Sequence, residues 1–177
     1  LLNERQMIRT LTTEGMNPFV MDDAAILRIL TEQLLPRLSE LRPECVYFYG
    51  AGCKDHQIGR MQRLLTEVLG AEEVEVASDM LGAARSVCGK SAGVVCIMGT
   101  GSNSCLYDGV HIVANVSPLG YILGDEGSGA SLGKLLVGEV MKGDLGYLRE
   151  QLFESLGIDE TSLIERVYRK PLANRFL

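Results

Sequence analysis

The sequence is poor in histidine, a residue that several common catalytic centres need. It contains two, His56 and His111, which stand in different sequence contexts. A zinc site or a Ser-His-Asp arrangement needs histidine grouped with other ligands or partners. The scarcity argues against both arrangements, and we predict no metal site among the side chains of this chain.

The sequence also lacks an excess of positive charge and a long apolar run. Its 17 Lys and Arg residues are outnumbered by 23 Asp and Glu residues, and the net charge is -6. An acidic chain is a poor partner for nucleic acid or an anionic membrane surface. No apolar run approaches the ~20 residues of a membrane helix. We therefore expect no nucleic-acid and no membrane partner, although backbone N–H groups can still bind a small anion.

The five cysteines form no CxxC pair, and their number is odd. Cys96 and Cys105 fall in strand-like runs, where a free cysteine behaves as a small apolar residue. This usage favours reduced thiols in a cytoplasmic protein over a disulfide framework.

Strand-like and helix-like segments alternate through the first half of the chain. Apolar runs at residues 46–49 and 74–77 are each followed by a helix-like segment. The alternation predicts an α/β fold with a largely parallel sheet. The pattern changes near Gly89, so we place one domain at residues 1–89 and a second at 90–177.

Two further elements are predicted near the start. Residues 7–13 are rich in β-branched side chains, which favour a strand. Asp22 or Asp23 can cap a helix whose apolar residues recur at helical spacing as far as Leu38, with Leu35-Pro36 ending or kinking it.

A glycine-rich turn organises the second half. The apolar run at residues 94–98 is typical of a fully buried strand, and it breaks at residues 99–102 before a second strand-like run. The glycines let backbone N–H groups approach an anion closely, and Thr100 and Ser102 add hydroxyl donors. The turn joins two strands, which distinguishes it from a P-loop or a dinucleotide motif. Asp108-Gly109 then favours a two-residue type I′ hairpin.

Asp79 ends a strand-like run and begins a helix-like segment. Open α/β sheets place their ligands at this edge. The structural interpretation is a helix N-cap, which the position alone favours. The functional interpretation is a general base that accepts the proton of an attacking hydroxyl.

Three other polar residues have two interpretations each. Asp125 and Glu126, flanked by glycines, are either a solvated loop that caps a helix or acceptors for sugar hydroxyls. Asn17 before Pro18 is more often a turn former than a ligand.

Taken together, these segments resemble the family of N-acetylglucosamine kinases and BadF/BadG/BcrA/BcrD-type ATPases, within the actin, hexokinase and Hsp70 superfamily. The resemblance covers nearly the whole chain. Its motifs, in order, are EGMNP at 14–18, VYFYGAGC at 46–53, Ser78-Asp79, GTGSN at 99–103 and GYILGDEGS at 120–128.

The resemblance implies an α/β, ribonuclease H-like fold of the actin-like ATPase type, with two lobes around a nucleotide cleft, and ATP and Mg²⁺ as cofactors. Asp79 would be the catalytic base at the sugar hydroxyl. The phosphate-binding residues would be Gly99, Thr100, Gly101, Ser102 and Asn103. The sugar-binding residues would be Asn17, Gly120, Asp125 and Glu126. Leu119 stands where the mammalian sugar kinase has Trp, so sugar stacking is in doubt there.

Two motifs of that family do not occur in the chain. The first phosphate motif would precede Leu1, and the adenosine motif would follow Leu177. We therefore expect a chain truncated at both ends, with residues 1–89 an incomplete N-terminal lobe and residues 90–177 the start of the C-terminal lobe.

The function that the resemblance implies is an ATP-dependent sugar kinase. It would transfer the γ-phosphoryl group to a hydroxyl of an amino sugar, with N-acetylglucosamine as the first candidate. Its partners would be the amino sugar and ATP. The sequence leaves open whether the protein forms a homodimer. Two alternatives are a BadF-type ATPase that activates a redox partner and a non-catalytic amino-sugar sensor. The scattered cysteines speak against the iron–sulfur cluster that the redox relatives hold.

Overall fold

The computed structural model describes residues 1–3 and 6–177 and has a mixed α/β fold. The chain divides into two units, Leu1–Ser86 and Val87–Leu177. Among the described residues, no helix is both long and apolar enough to cross a membrane.

The first unit combines short strands with helices. Its strands are β1 (Leu2–Asn3), β2 (Gln6–Met7), β3 (Cys45–Gly50) and β4 (Glu73–Ser78). Its helices are α1 (Asp23–Arg28), which continues through a π-helical segment (Ile29–Leu34) into α2 (Leu35–Leu38), then α3 (His56–Leu69) and the start of α4 (Asp79–Cys88).

The first predicted helix is confirmed, with Asp22 as its cap. The Asp22 carboxylate accepts a hydrogen bond from the Ala25 N–H at 2.8 Å. The π-helical segment ends just before Pro36, whose ring and missing N–H disturb the helix here, as the sequence led us to expect.

The strand predicted at residues 7–13 is wrong. β2 ends at Met7, and the following residues are irregular. The carbonyl of Thr12 accepts from the Arg37 side chain at 2.5 Å rather than from a neighbouring strand. β-branched residues favour an extended backbone, but a strand also requires a neighbouring strand with which its backbone can form hydrogen bonds.

The core of the first unit lies between one face of β3 and β4 and the helices α1 to α3. The two strands are parallel, with Cys45 opposite Glu73 and Gly50 opposite Ser78. The buried apolar cluster consists of Ile26, Leu30, Leu38, Cys53, Met61, Leu64, Leu65, Leu69, Ala71, Val74 and Val76. On the other face, Gly82 of α4 admits the Tyr49 ring, and Arg85 donates to the Tyr49 hydroxyl at 2.7 Å.

The second unit contains an antiparallel sheet and several helices. The strands are β5 (Gly93–Met98), β6 (Ser102–Tyr107) and β7 (Ile112–Val116), in the order β5-β6-β7. The helices are α5 (Gly120–Leu123), α6 (Gly129–Lys142), a 3₁₀ turn (Gly146–Leu148), α7 (Arg149–Leu156), α8 (Glu160–Tyr168) and α9 (Ala173–Phe176). The largely parallel sheet that we predicted is therefore limited, in the described residues, to β3 and β4.

Two details of the second sheet differ from the sequence predictions. β5 is not fully buried, since Val95 is 3% exposed whereas Val94 and Met98 are both 73% exposed. Its alternation shows a sheet with one covered face, which a continuous apolar run cannot reveal.

The connection after β6 is longer than the predicted two-residue turn. Tyr107 pairs with Ile112, next to a register shift. The Asp108 carboxylate accepts from the N–H groups of Val110 and His111 at 2.8 and 2.7 Å. The aspartate side chain thus organises a four-residue turn, which competes with the type I′ geometry.

Candidate functional site

The first unit places the end of β3 beside the end of β4. The register pairs Gly50 with Ser78, each the last residue of its strand, so both strands end at one edge. Asp79 follows β4 directly, and Gly52 lies two residues beyond β3. Open α/β sheets bind their ligands at this carboxyl edge.

Asp79 is the first residue of α4 and does not cap it. The Ser78 hydroxyl oxygen accepts a hydrogen bond from the Leu81 N–H at 3.2 Å, which is the bond of a capping residue. One Asp79 carboxylate oxygen accepts from the Met80 N–H at 2.9 Å. Asp79 is exposed. The N-cap interpretation of Asp79 is therefore wrong, and its carboxylate is accessible to a ligand.

Asn17 lies against the turn that follows β3. Its side-chain oxygen accepts from the Phe19 N–H at 2.9 Å, so Asn17 does form a turn. Gly52 has a φ of +81°, and a Cβ at this position would clash with the Asn17 side-chain oxygen. Glycine at 52 thus admits both the backbone conformation and the asparagine. The structure brings Asn17 and Asp79 to the ends of neighbouring strands.

Arg60 of α3 anchors the loop that carries Asn17. Its guanidinium donates to the carbonyls of Pro18 and Met21 at 2.6 and 2.8 Å. It also donates to the Asp23 carboxylate at 2.5 Å, and this bond holds the pKa of Asp23 below its ordinary value. Three acceptors in different directions suit a planar guanidinium and would not suit an ammonium group.

Cys53 is the buried thiol nearest this edge. Burial raises its pKa, and the charge of Asp79 raises it further. A protonated thiol is a weak nucleophile. Cys53 is therefore a packing residue.

In the second unit, the predicted phosphate-binding segment is a three-residue turn. Residues 99–101 connect the antiparallel strands β5 and β6. The Gly99 N–H donates to the Gly101 carbonyl at 2.9 Å. Within the described part of the chain, neither Thr100 nor Gly101 donates its own N–H to an acceptor. Two successive N–H groups without a partner can bind an anion.

The start of α6 holds the carbonyl groups of this turn. The N–H of Gly129 donates to the Gly99 carbonyl at 2.8 Å, and that of Ala130 to the Thr100 carbonyl at 3.2 Å. The buried Ser128 hydroxyl caps the same helix. Because these first N–H groups of α6 bond to the turn, the donors left for an anion are those of the turn itself.

Asp125 lies against the turn and is only 8% exposed. Its carboxylate accepts from the Ser102 N–H at 3.1 Å. A Cβ on Gly101 would lie 3.0 Å from the same carboxylate. The solvated-loop interpretation is therefore wrong for Asp125, whereas Glu126 is exposed.

A cavity of about 250 Å³ lies beside β5 and β6, and Ser102, Asn103 and Glu126 are among its lining residues. The Asn103 side-chain oxygen accepts from the Asn115 amide at 2.8 Å, which fixes its orientation. Gly120 begins α5 with a φ of +76° and has open space where a Cβ would lie. The second unit therefore brings residues of the predicted phosphate and sugar sets into one region.

Sequence reasoning missed Ser78, Arg60 and Ser128 as supporting residues. Ser78 precedes a helix, and this is a usable capping signal that the adjacent Asp79 obscured. The role of Arg60 could not be predicted, because nothing in the sequence distinguishes it from any other arginine on the polar side of an amphipathic helix.

Solved structures that are similar to the chain include two described as kinases. A structure from Porphyromonas gingivalis described as a "putative N-acetylglucosamine kinase" is 50% identical to the chain, with a TM-score of 0.87, and the match covers 94% of this chain. A structure from Chromobacterium violaceum with the same description is 18% identical, with a TM-score of 0.65 over 86% of this chain, and supports the fold alone. No family model and no curated protein matches the chain.

The match to the Porphyromonas protein confirms the predicted resemblance to the N-acetylglucosamine kinase family. The chain spans 60% of the Porphyromonas protein and 57% of the Chromobacterium protein.

Proposed function

We propose that the chain is part of an ATP-dependent sugar kinase that transfers the γ-phosphoryl group to a hydroxyl of an amino sugar, with N-acetylglucosamine as the first acceptor to test. Its two units would correspond to the two lobes of a ribonuclease H-like fold. The similarity to the Porphyromonas protein supports the reaction class. The observation that carries the mechanism is the exposed carboxylate of Asp79, whose expected capping role is filled by Ser78.

Asp79 would be the general base. A hydroxyl that attacks phosphorus must lose its proton, and a carboxylate within hydrogen-bond reach can accept it. Asn17, which lies at the end of the neighbouring strand, would hold the sugar with its amide group. Its oxygen already accepts from the Phe19 N–H, so the amide NH₂ is the group left to donate to a sugar oxygen.

The turn at residues 99–103 would bind the ATP phosphates. Phosphoryl transfer depends on positioning and on charge stabilisation, which backbone N–H groups provide without movement. Thr100 and Gly101 would supply the N–H donors, and Thr100 would add an exposed hydroxyl. Mg²⁺ commonly keeps several waters and needs only one or two protein carboxylates beside the phosphates. It would enter with ATP, since the described residues contain no group of three or more His, Cys, Asp or Glu placed to hold a metal.

The test is sugar-dependent ADP release by the full-length protein with N-acetylglucosamine, other N-acetylhexosamines, muramic acids and plain hexoses. A kinase releases ADP in proportion to phosphorylated sugar. ADP release that no sugar stimulates would favour the redox-partner ATPase, and sugar binding without ADP release would favour the sensor.

A further inference from the structure

We propose that a basic cavity where α8 meets α9 is a binding site for a small molecule that carries phosphate groups. The cavity has a volume of about 590 Å³ and lies in the second unit. Its lining residues are Arg166, Lys170, Pro171, Leu172, Arg175 and Phe176. None of them belongs to the sugar and phosphate sets described above, and the proposal does not rest on the proposed function.

The charge of this segment is opposite to that of the whole chain. Residues 166–177 contain four basic residues and no Asp or Glu, whereas the chain has a net charge of -6. Three of the four, Arg166, Lys170 and Arg175, line the cavity, and all three are exposed. Among the described residues, no carboxylate lines the cavity. A concave surface with cations and no carboxylate attracts anions and raises their local concentration.

The three cations of the cavity form no ion pair with a carboxylate in the described part of the chain. The ion pairs there involve arginine or histidine residues elsewhere. Glu160, at the start of α8, pairs with Arg149 at 2.5 Å and leaves the basic end of the same helix without a partner. Like charges around one cavity repel each other, and a bound anion removes that repulsion.

Helix packing holds the backbone that carries these cations. The guanidinium carbon of Arg166 lies 5.5 Å from the centre of the Phe176 ring, so the aromatic face orients it. The carbonyl of Leu172 accepts from the Arg175 N–H at 2.9 Å, which fixes the start of α9. Groups that are already in place lose less entropy when a ligand binds, which favours a defined site over diffuse attraction of ions.

The chemistry of the lining favours a phosphate group. A planar guanidinium donates two parallel hydrogen bonds to the oxygens of a phosphate, and an ammonium binds it as a point charge. A phosphomonoester carries about 1.5 to 2 negative charges at pH 7, which matches several cations better than a single carboxylate does. Pro171, Leu172 and Phe176 add an apolar wall against which the uncharged part of the molecule can pack.

The test is calorimetric titration of inorganic pyrophosphate into the full-length protein, as wild type, Lys170→Gln and Arg175→Gln. Arg169→Gln is the matched control, because Arg169 is exposed in the same basic segment but does not line the cavity. We expect each cavity variant to weaken pyrophosphate binding about tenfold, as loss of a charged hydrogen bond does. Arg169→Gln should stay within about twofold of wild type at 0.15 M salt, because exposed charges more than ~8 Å apart are largely screened.

Two further titrations separate the sources of binding. Gly99→Ala weakens the 99–101 turn as a phosphate site and should leave pyrophosphate binding at the cavity intact. Citrate replaces the phosphates by carboxylates and should bind more weakly than pyrophosphate.

Equal weakening in Arg169→Gln and Arg175→Gln would overturn the proposal, because general charge attraction would then explain the binding. Binding that is lost in Gly99→Ala and kept in both cavity variants would overturn it as well, since the turn would then be the site. Citrate that binds as tightly as pyrophosphate would contradict the phosphate assignment. A wild type that binds no pyrophosphate would contradict the site itself. These titrations need no sugar turnover, so a failure of the proposed function would not change their result.

Discussion

The hydroxyl oxygen of Ser78 accepts the N–H of Leu81, three residues into α4, at 3.2 Å. Because Ser78 makes this bond, Ser78 and not Asp79 is the cap of α4, although the position of Asp79 had favoured capping. This bond also makes the two roles at this strand end separable by mutation.

Ser78→Ala should lower the free energy of unfolding by about 1 kcal/mol, the typical cost of losing a cap. Asp79→Asn should lower it by less than about 1 kcal/mol, which is the usual worth of a charge at a helix N-terminus. Chemical denaturation of both variants measures the difference. If Asp79→Asn were clearly the more destabilising, Asp79 would be the structural residue and the assignment of the cap to Ser78 would be wrong.

The two glycines of the phosphate turn should respond differently to alanine. A Cβ on Gly99 meets no atom within 4 Å, whereas one on Gly101 meets the Asp125 carboxylate. Gly99→Ala should therefore leave the melting temperature unchanged and weaken ATP binding only because the added methyl group contacts the bound ATP. Gly101→Ala should lower both the melting temperature and the affinity for ATP.

ATP titration and thermal unfolding of the two variants decide between these effects. Unchanged ATP affinity in both folded variants would remove the turn from the nucleotide site.

Arg60→Lys should loosen the Asn17 loop, because lysine keeps the charge and cannot reach all three acceptors. Loss of the bonds to Pro18 and Met21 should cost ~1–3 kcal/mol of stability, at about 1 kcal/mol for each net hydrogen bond. We also expect the sugar KM to rise with little change in the ATP Kd.

Arg63→Lys is the control for Arg60→Lys. Arg63 contacts the same Asp23 at 2.8 Å but is 62% exposed, so its ion pair contributes little. Similar losses of stability in the two variants would argue against a specific anchoring role for Arg60.

The Asp23 ion pairs should make the first unit sensitive to acid. The hydrogen bond from Arg60, followed by that from Arg63, lowers the folded-state pKa of Asp23 below its ordinary value. The stabilisation is therefore complete above the unfolded-state pKa of about 4 and is lost as the pH falls through the lower folded-state value.

Melting temperatures of wild type and Asp23→Asn between pH 7 and pH 2 test this dependence. The two curves should be separated at neutral pH and converge in acid. A constant difference at every pH would show that the charge of Asp23 is not involved.

The sequence was informative where an element has a strong local signal. The helix capped by Asp22, the strands β3 and β4 and the hairpin around the glycine turn follow from periodicity and turn chemistry, although the bounds shifted by a residue or two. The strand expected at residues 7–13 failed because its pairing depends on a partner that local propensity does not specify. The type I′ turn failed because the Asp108 side chain bonds two backbone N–H groups and builds a longer turn.

The residues of the candidate site could be named from the sequence, and their roles stay predictions. Asp79, Asn17 and the 99–103 segment were all recognised from motifs. Ser78 and Asp79 are neighbours, and the side-chain oxygen of either could accept the Leu81 N–H. The structure shows that Ser78 accepts it, which leaves the Asp79 carboxylate exposed. The contact between Asp125 and Ser102 joins residues 23 positions apart. No periodicity in the sequence indicates that contact.

The proposed role of Asp79 as the general base of a sugar kinase can be measured through the rate of sugar-dependent ADP release. The measurement compares full-length wild type, Asp79→Asn and Ser78→Ala at saturating ATP and N-acetylglucosamine. Loss of the base should lower the Asp79→Asn rate by about 10²–10⁴-fold. Ser78→Ala, which weakens the same helix and keeps the carboxylate, should stay within a few-fold of wild type. Asp79→Asn and wild-type rates that agree within a few-fold would contradict the claim.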